Sequence, residues 1–190
     1  NLPRVVCMRA NWWLWEKDLD VELCDKFVNI CCSSLMLEDA AVGNTTSNKS
    51  TINKKERSCK TQGTKNPEIN QLVVGYLMDA NRHFGFDISW IPPATQFVQY
   101  SKGNYYKWHS DVNWHNKEMF DRKLSIVIQL SDPKDYDGGD FEFFDEGGNG
   151  KFRGKGSVLV FPSVHMHRVT EVTSGVRYSL VSWAEGLRWR

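Results

Sequence analysis

The sequence predicts an α+β fold, mainly β, in which two N-terminal helices support one antiparallel jelly roll. Two stretches of the first half, Asp20 to Leu35 and Pro67 to about Gly85, repeat apolar residues at helical spacing. From Phe86 onward the texture changes to short alternating or apolar runs divided by turn residues. Regularly spaced strands with short turns suggest a sandwich or jelly roll. No internal repeat or second domain is visible. Residues 1–190 therefore read as one domain, with a helical support region at 1–85, a polar loop at 43–65, and a jelly-roll core at 86–190.

Taken in order, Asn11-Trp-Trp-Leu-Trp15 reads as an edge strand packing on the core. Val21, Leu23, Cys24, Phe27, Val28, Ile30 and Cys31 then repeat at near-helical spacing. Asp18 or Asp20 can cap that helix, with Glu22 near its positive end. Gly43 to Lys65 is polar with few apolar anchors and reads as a mobile loop, a candidate lid. Its Lys49, Lys54, Lys55 and Arg57 read as a solvated face, because no aromatics interleave them as nucleic-acid binding would want. Asn66-Pro67 opens the second helix with Pro in its first position. Ile69, Leu72, Val73, Tyr76, Leu77 and Ala80 form its stripe. The expected strands are Ile88–Ile91, Gln96–Tyr100, Lys123–Leu130, Phe141–Phe144, Gly156–Phe161, His167–Val172 and Val176–Trp183. Turn signals punctuate them at Pro92-Pro93, Asp132-Pro133, Asp137-Gly-Gly139, Gly147-Gly148 and Ser174-Gly175.

A chain of 190 residues can bury a sizeable core, and its 41% hydrophobic content is ordinary for a globular protein. The net charge of +1 gives no global pull toward nucleic acid or an anionic membrane. No apolar run is long enough to span a bilayer, and no secretion signal is visible. The five cysteines (Cys7, Cys24, Cys31, Cys32, Cys59) are odd in number and match no disulfide framework or zinc spacing. They are expected as buried free thiols in a reducing, cytoplasmic compartment. Asn44-Thr-Thr46 and Asn48-Lys-Ser50 match the glycosylation pattern. Without a secretion signal they read as plain loop residues.

The chemistry gathers around Tyr100-Ser-Lys-Gly-Asn-Tyr-Tyr-Lys-Trp-His-Ser-Asp111. On an extended strand, residues two apart share a face, so His109 and Asp111 would stand side by side. A further histidine lies in Phe161-Pro-Ser-Val-His-Met-His167-Arg-Val169. Two imidazoles and one carboxylate on one face of a metal leave the opposite positions open, the donor set of non-haem Fe(II) sites. His165 and His167 share strand parity, so parity does not choose between them. Pro162 ends the preceding run and a new strand is expected near Met166. That puts His165 in the turn and His167 inside the strand. Ten residues past His167, Arg177 interrupts an apolar strand. A buried guanidinium is costly unless it meets an anion, and its planar fork matches a carboxylate. Ser179 and Trp183 share its face, and Ser179 can donate a further hydrogen bond. A local site of His109, Asp111 and His115 is disfavoured because Trp114-His-Asn-Lys reads as a loop. The run Asp132, Asp135, Asp137, Asp140 lacks the order of a calcium loop and reads as turn residues.

His109-Ser-Asp111, Phe161-Pro-Ser163, His167-Arg-Val169 and Gly175-Val-Arg177 together resemble the Fe(II)- and 2-oxoglutarate-dependent oxygenases of the prolyl 4-hydroxylase branch. Arg122-Lys-Leu-Ser125 and Tyr136-Asp-Gly-Gly-Asp140 also look like that branch. The resemblance implies a double-stranded β-helix and Fe(II) held by His109, Asp111 and His167. It implies 2-oxoglutarate on the iron with its C5 carboxylate on Arg177, and O2 as cosubstrate. Tyr100 and Tyr106 match positions that line the family's cosubstrate pocket. The implied reaction hydroxylates a peptidyl side chain, proline first among the candidates, with succinate and CO2 released and ascorbate helping to restore oxidised iron. The expected partner is a proline-containing peptide or protein, not nucleic acid or membrane.

Two rivals stand beside that reading. One is a metal-bearing β-sandwich that binds or senses without turnover. The other is a zinc hydrolase with the same three ligands. A hydrolase gives no reason for Arg177, and a complete ligand set argues against a mere sensor.

Overall fold

The computed structural model describes residues 11–34, 36–43, 50–114, 118–146 and 152–189. Its elements run β1 (Trp13–Trp15), α1 (Val21–Ser34), β2 (Glu38–Asp39), β3 (Val42–Gly43), β4 (Ser50–Thr51), β5 (Arg57–Ser58), β6 (Lys60–Thr64) and α2 (Pro67–Phe84). There follow β7 (Thr95–Ser101), β8 (Tyr105–His109), β9 (Phe120–Gln129), β10 (Tyr136–Gly138), β11 (Phe141–Phe143), β12 (Val158–Pro162), β13 (His167–Val169) and β14 (Val172–Leu187).

Both helices follow their local chemistry. At the start of α2 the Asn66 side chain accepts the Ile69 N–H at 3.1 Å, and Pro67 fills a position whose N–H would be orphaned anyway. Gly85 ends it at φ 69°, its N–H donating to Asn81 O at 2.7 Å. Ile69, Val73, Leu77, Ala80 and Phe84 form the buried stripe. In α1, Cys24 N–H donates to Asp20 O at 3.1 Å, which places Asp20 at the cap. Asp18 instead accepts the Tyr76 hydroxyl and ties the approach of α1 to α2.

Two antiparallel sheets face each other in a jelly roll. The larger has the order β1-β12-β9-β14-β7-β6-β2, with β10 also on β14. The smaller has the order β11-β13-β8-β5. Strand parity divides the core. Ile126, Ile128, Val158 and Val160 point to the helices and pack with Phe27, Val73 and Leu77. Val127, Leu159, Phe161, Val98 and Tyr100 point between the sheets and meet Phe141, Phe143 and Val169. A fully buried side chain such as Phe27 contributes about 2–3 kcal/mol. As expected, β1 is an edge strand, pairing only with β12 along the sheet path.

The structure corrects several expectations. The stretch 43–65 is not one loop. Gly43 ends β3, β5 pairs with β8, and the whole of β6 lies along β7 from Thr64↔Thr95 to Lys60↔Gln99. Pairing needs only backbone N–H and C=O groups, so a polar run such as Lys60-Thr-Gln-Gly-Thr64 joins a sheet without an apolar signal. The region 1–85 therefore supplies strands as well as helices. Asn44, Thr46, Asn48, Lys49, Cys7, His115, Gly147 and Gly148 lie outside the described residues. Ile88–Ile91 forms no strand, only a bridge between Trp90 and Glu185, because Pro92 and Pro93 have no N–H to extend a ladder. Cys24, Cys31 and Cys59 are free and buried as expected, whereas free Cys32 is exposed. Among the described residues no helix is long and apolar enough to cross a membrane.

Candidate metal and cosubstrate site

Two strands of the smaller sheet bring the histidines together. His109 ends β8, His167 opens β13, and the two are register partners. Asp111 departs from the expected geometry: β8 stops at His109, and Asp111 lies in the turn beyond it. What holds it is tertiary. Its N–H donates to Ser163 O at 2.9 Å, and its Oδ2 accepts the Ser125 hydroxyl at 2.6 Å. The Ser125 and Ser163 hydroxyls are themselves 2.9 Å apart.

The result is a cluster whose donor atoms all lie within 4.8 Å of one another. His109 Nε2 is 3.8 Å from Asp111 Oδ1, and His167 Nε2 is 3.7 Å from Asp111 Oδ2. Both Nδ1 atoms face carbonyls, His109 toward Lys107 O at 2.7 Å and His167 toward His165 O at 2.9 Å. A carbonyl only accepts, so each Nδ1 donates there, which leaves Nε2 as the ring atom turned toward a metal. Burial, with His167 beside it, lowers the His109 pKa to about 3, so that ring is neutral at physiological pH. Burial works to raise the Asp111 carboxyl, yet His167, His109, Arg122 and the Ser125 hydroxyl together hold it below the usual carboxylate range. Neutral imidazole and ionised carboxylate are the forms that bind metal. His165 sits in the turn before β13, as expected, and its carbonyl orients His167.

The larger sheet supplies the other half. Arg177 pairs with Tyr100 across β14 and β7, and its guanidinium carbon lies 5.4 Å from that ring. Arg177 is 1% exposed, yet its Nε and one terminal nitrogen, Nη2, have no hydrogen-bond partner. Among the described residues no carboxylate pairs with it. A buried cationic fork with orphaned donors fits a ligand carboxylate. Ser179 is buried two residues on, and Tyr100, Arg177, Ser179 and Trp183 line one cavity of about 1110 Å³ with the metal cluster. Burial pushes the Tyr100 phenol up, so it stays a neutral donor. Tyr106 lines the same cavity but stacks on His109, with ring centroids 3.4 Å apart.

Three cavity-lining or ligand-holding residues carry roles that sequence reading had not assigned. Arg57 was read as a solvated cation; it stands 4.6 Å over the Tyr106 ring and lines the cavity. Arg122 stands 3.6 Å over the Trp183 ring. Ser125 holds Asp111; its signals in the sequence are its inward parity in the run Lys123–Leu130 and its place in Arg122-Lys-Leu-Ser125. The acidic residues of the 132–140 stretch bond to protein groups. Asp137 accepts the Ser174 hydroxyl at 2.7 Å, and Asp140 pairs with Arg153 at 2.5 Å.

A jelly roll that gathers two imidazoles, one carboxylate and an unpaired buried arginine between its sheets has the framework of a metal-dependent oxygenase using an anionic cosubstrate. Residues 95–185 match the family model of the 2OG-Fe(II) oxygenase superfamily. That family implies Fe(II), 2-oxoglutarate and O2; the donor set fits Fe(II), and Arg177 fits a carboxylate. The chain is 34% identical over 90 residues to a PKHD-type hydroxylase of Idiomarina loihiensis, covering 47% of this chain and 40% of that protein. A PKHD-type hydroxylase of Psychrobacter is 34% identical over 102 residues, covering 51% and 39%. The matches thus span about two-fifths of the length of these relatives. In fold the chain is similar to a Pseudomonas putida prolyl-4-hydroxylase, with TM-score 0.71, 19% identity, and 93% of each chain covered. It is equally similar to the viral collagen prolyl hydroxylase of Paramecium Bursaria Chlorella virus-1 solved with 2OG, with TM-score 0.71, 16% identity, and 96% and 99% covered.

Proposed function

We propose that this chain is a 2-oxoglutarate-dependent dioxygenase that hydroxylates a side chain of a peptide or protein, proline first among the candidates, releasing succinate and CO2. The observation that carries this reading is Arg177: a fully buried guanidinium with orphaned donors in the same cavity as a two-histidine, one-carboxylate cluster.

In this reading His109, Asp111 and His167 hold Fe(II) and Arg177 takes the C5 carboxylate of 2-oxoglutarate. Bound together, iron and 2-oxoglutarate supply the oxidising power that converts C–H to C–OH with O2. The protein's own work is placement. Lys107 and His165 carbonyls orient the imidazoles, while Ser125 and the Ser163 carbonyl orient Asp111. Tyr100 and Ser179 offer hydroxyls near the arginine, and Phe141 and Phe161 pack on His167 and keep that side dry. Ascorbate would keep the iron reduced between turnovers.

A cavity of about 1110 Å³ leaves room beyond a small dicarboxylate, which supports a side chain presented on a peptide. A related fold, a Trichoplax adhaerens prolyl hydroxylase, was solved with a peptide fragment of hypoxia inducible factor. Succinate formation with Fe(II) and 2-oxoglutarate, with and without proline-rich peptides, tests the proposal. Peptide-stimulated succinate together with a mass gain of one oxygen on the peptide is expected. No succinate across a broad peptide panel, after anaerobic Fe(II) loading and admission of oxygen, would favour a non-catalytic sensor.

A further inference from the structure

The turn Tyr136–Asp140 packs on the stem of Arg177 from outside the cavity. Gly139 sits at φ 63°, and its N–H donates to Glu171 O at 3.1 Å. A Cβ there would lie 2.8 Å from Val172 Cγ2 and 3.2 Å from Arg177 Cδ. The backbone of Gly139 therefore occupies the space beside the arginine's last methylene. Because Arg177 Nε and Nη2 have no protein partner, packing along the stem does much of the work of locating this side chain.

Besides its pairing with β14, the turn is clamped by Arg153. Arg153 donates from Nη1 to Gly138 O at 2.9 Å and to the Asp140 carboxylate at 2.5 Å, and from Nη2 to Tyr136 O at 2.9 Å. Its guanidinium carbon stands 4.4 Å from the Tyr136 ring centroid. Asp140 also ties the turn toward the strand of His167: its N–H donates to Thr170 Oγ1 at 2.8 Å, and Thr170 N–H donates to its backbone O at 2.9 Å. Neither Gly139 nor Arg153 is among the residues that line the cavity.

We propose that Arg153 and Gly139 are positioning residues for the cosubstrate: the Arg153 clamp presses the Gly138-Gly139 turn onto the Arg177 stem and so sets how far the guanidinium reaches into the site. The inference rests on Arg177 binding a 2-oxoglutarate carboxylate. A Cβ at Gly139 displaces the stem, and loss of the Arg153 clamp loosens it. Either change acts on cosubstrate affinity and leaves the metal cluster in place.

The test is calorimetric titration of 2-oxoglutarate into anaerobic Mn(II)-loaded protein, alongside Mn(II) titration of each variant. Gly139→Ala should weaken 2-oxoglutarate by about tenfold or more, since small displacements of a positioning group are costly. Arg153→Met should weaken it by about threefold to tenfold. Mn(II) affinity should hold within about twofold in both, because the ligands contact neither residue. Combined with Arg177→Lys, each change should add little, because all act through one side chain. Unaltered 2-oxoglutarate affinity in both variants overturns the proposal, as does full additivity with Arg177→Lys. If Gly139→Ala does not fold, Arg153→Met and its double variant with Arg177→Lys decide alone. Failure of the unaltered protein to bind 2-oxoglutarate sinks the cosubstrate reading and this inference with it. Binding that depends on Arg177 but is indifferent to Gly139 and Arg153 sinks the inference only.

Discussion

His167 Nε2 stands 3.7 Å from Asp111 Oδ2, while the His165 carbonyl, two residues earlier, orients the same imidazole through Nδ1 at 2.9 Å. One histidine thus faces the carboxylate with its ring, and the other reaches that ring through its backbone carbonyl. His167→Ala should therefore abolish iron binding and turnover. His165→Ala should leave iron bound and activity measurable, because its backbone carbonyl survives the change. Iron titration of both variants checks this. Loss of iron in His165→Ala with retention in His167→Ala would reverse the assignment.

Arg177 has no carboxylate partner among the described residues. Arg177→Lys keeps a positive charge but loses the two-pronged fork. A loss of about 1.5–3 kcal/mol in 2-oxoglutarate binding is expected, with iron binding retained. Calorimetry showing unchanged cosubstrate affinity would assign Arg177 a structural role.

The Ser125 hydroxyl donates to Asp111 Oδ2 at 2.6 Å and touches no candidate ligand besides. Ser125→Ala should lower metal affinity by about ten- to hundredfold, the usual cost of removing a group that orients a ligand. The fold should survive, since Ala fits the buried strand position. Metal titration with a thermal melt separates the two effects. Metal affinity equal to the unaltered protein would mean that the Ser163 carbonyl alone suffices to hold Asp111.

Asn66 caps α2 and is not among the residues that line the cavity, its side chain accepting the Ile69 N–H at 3.1 Å. Asn66→Ala should cost about 1 kcal/mol of stability. Denaturant unfolding reads that loss, and metal affinity should not move. A change in metal affinity would mean that the helix layer is coupled to the site through the larger sheet.

Much was legible in the sequence by itself. Helix α2 was readable from its apolar stripe, Asn66-Pro67 and Gly85, because helix capping and amphipathic spacing are local physics. The runs at Gln96–Tyr100, Lys123–Leu130 and Val176–Trp183 became β7, β9 and β14, since a half-buried strand writes its period into its own residues. His109, Asp111, His167 and Arg177 were also visible, as costly groups at spacings that ordinary packing does not call for.

What only the tertiary structure decided depends on partners distant in the chain. Lys60–Thr64 is a strand because β7 offers it an unpaired edge, and its own polar residues carry no sign of that. Asp111 is not held by strand alternation. It is placed by the Ser163 carbonyl, just past the end of β12, and by the Ser125 hydroxyl on β9. Arg57 left the solvated face assigned to it because β5 pairs with β8 and brings it over Tyr106. Local propensity acts over a few residues and can be read along the chain. Backbone pairing between polar strands and hydrogen bonds between remote side chains exist only once the two sheets have closed on each other.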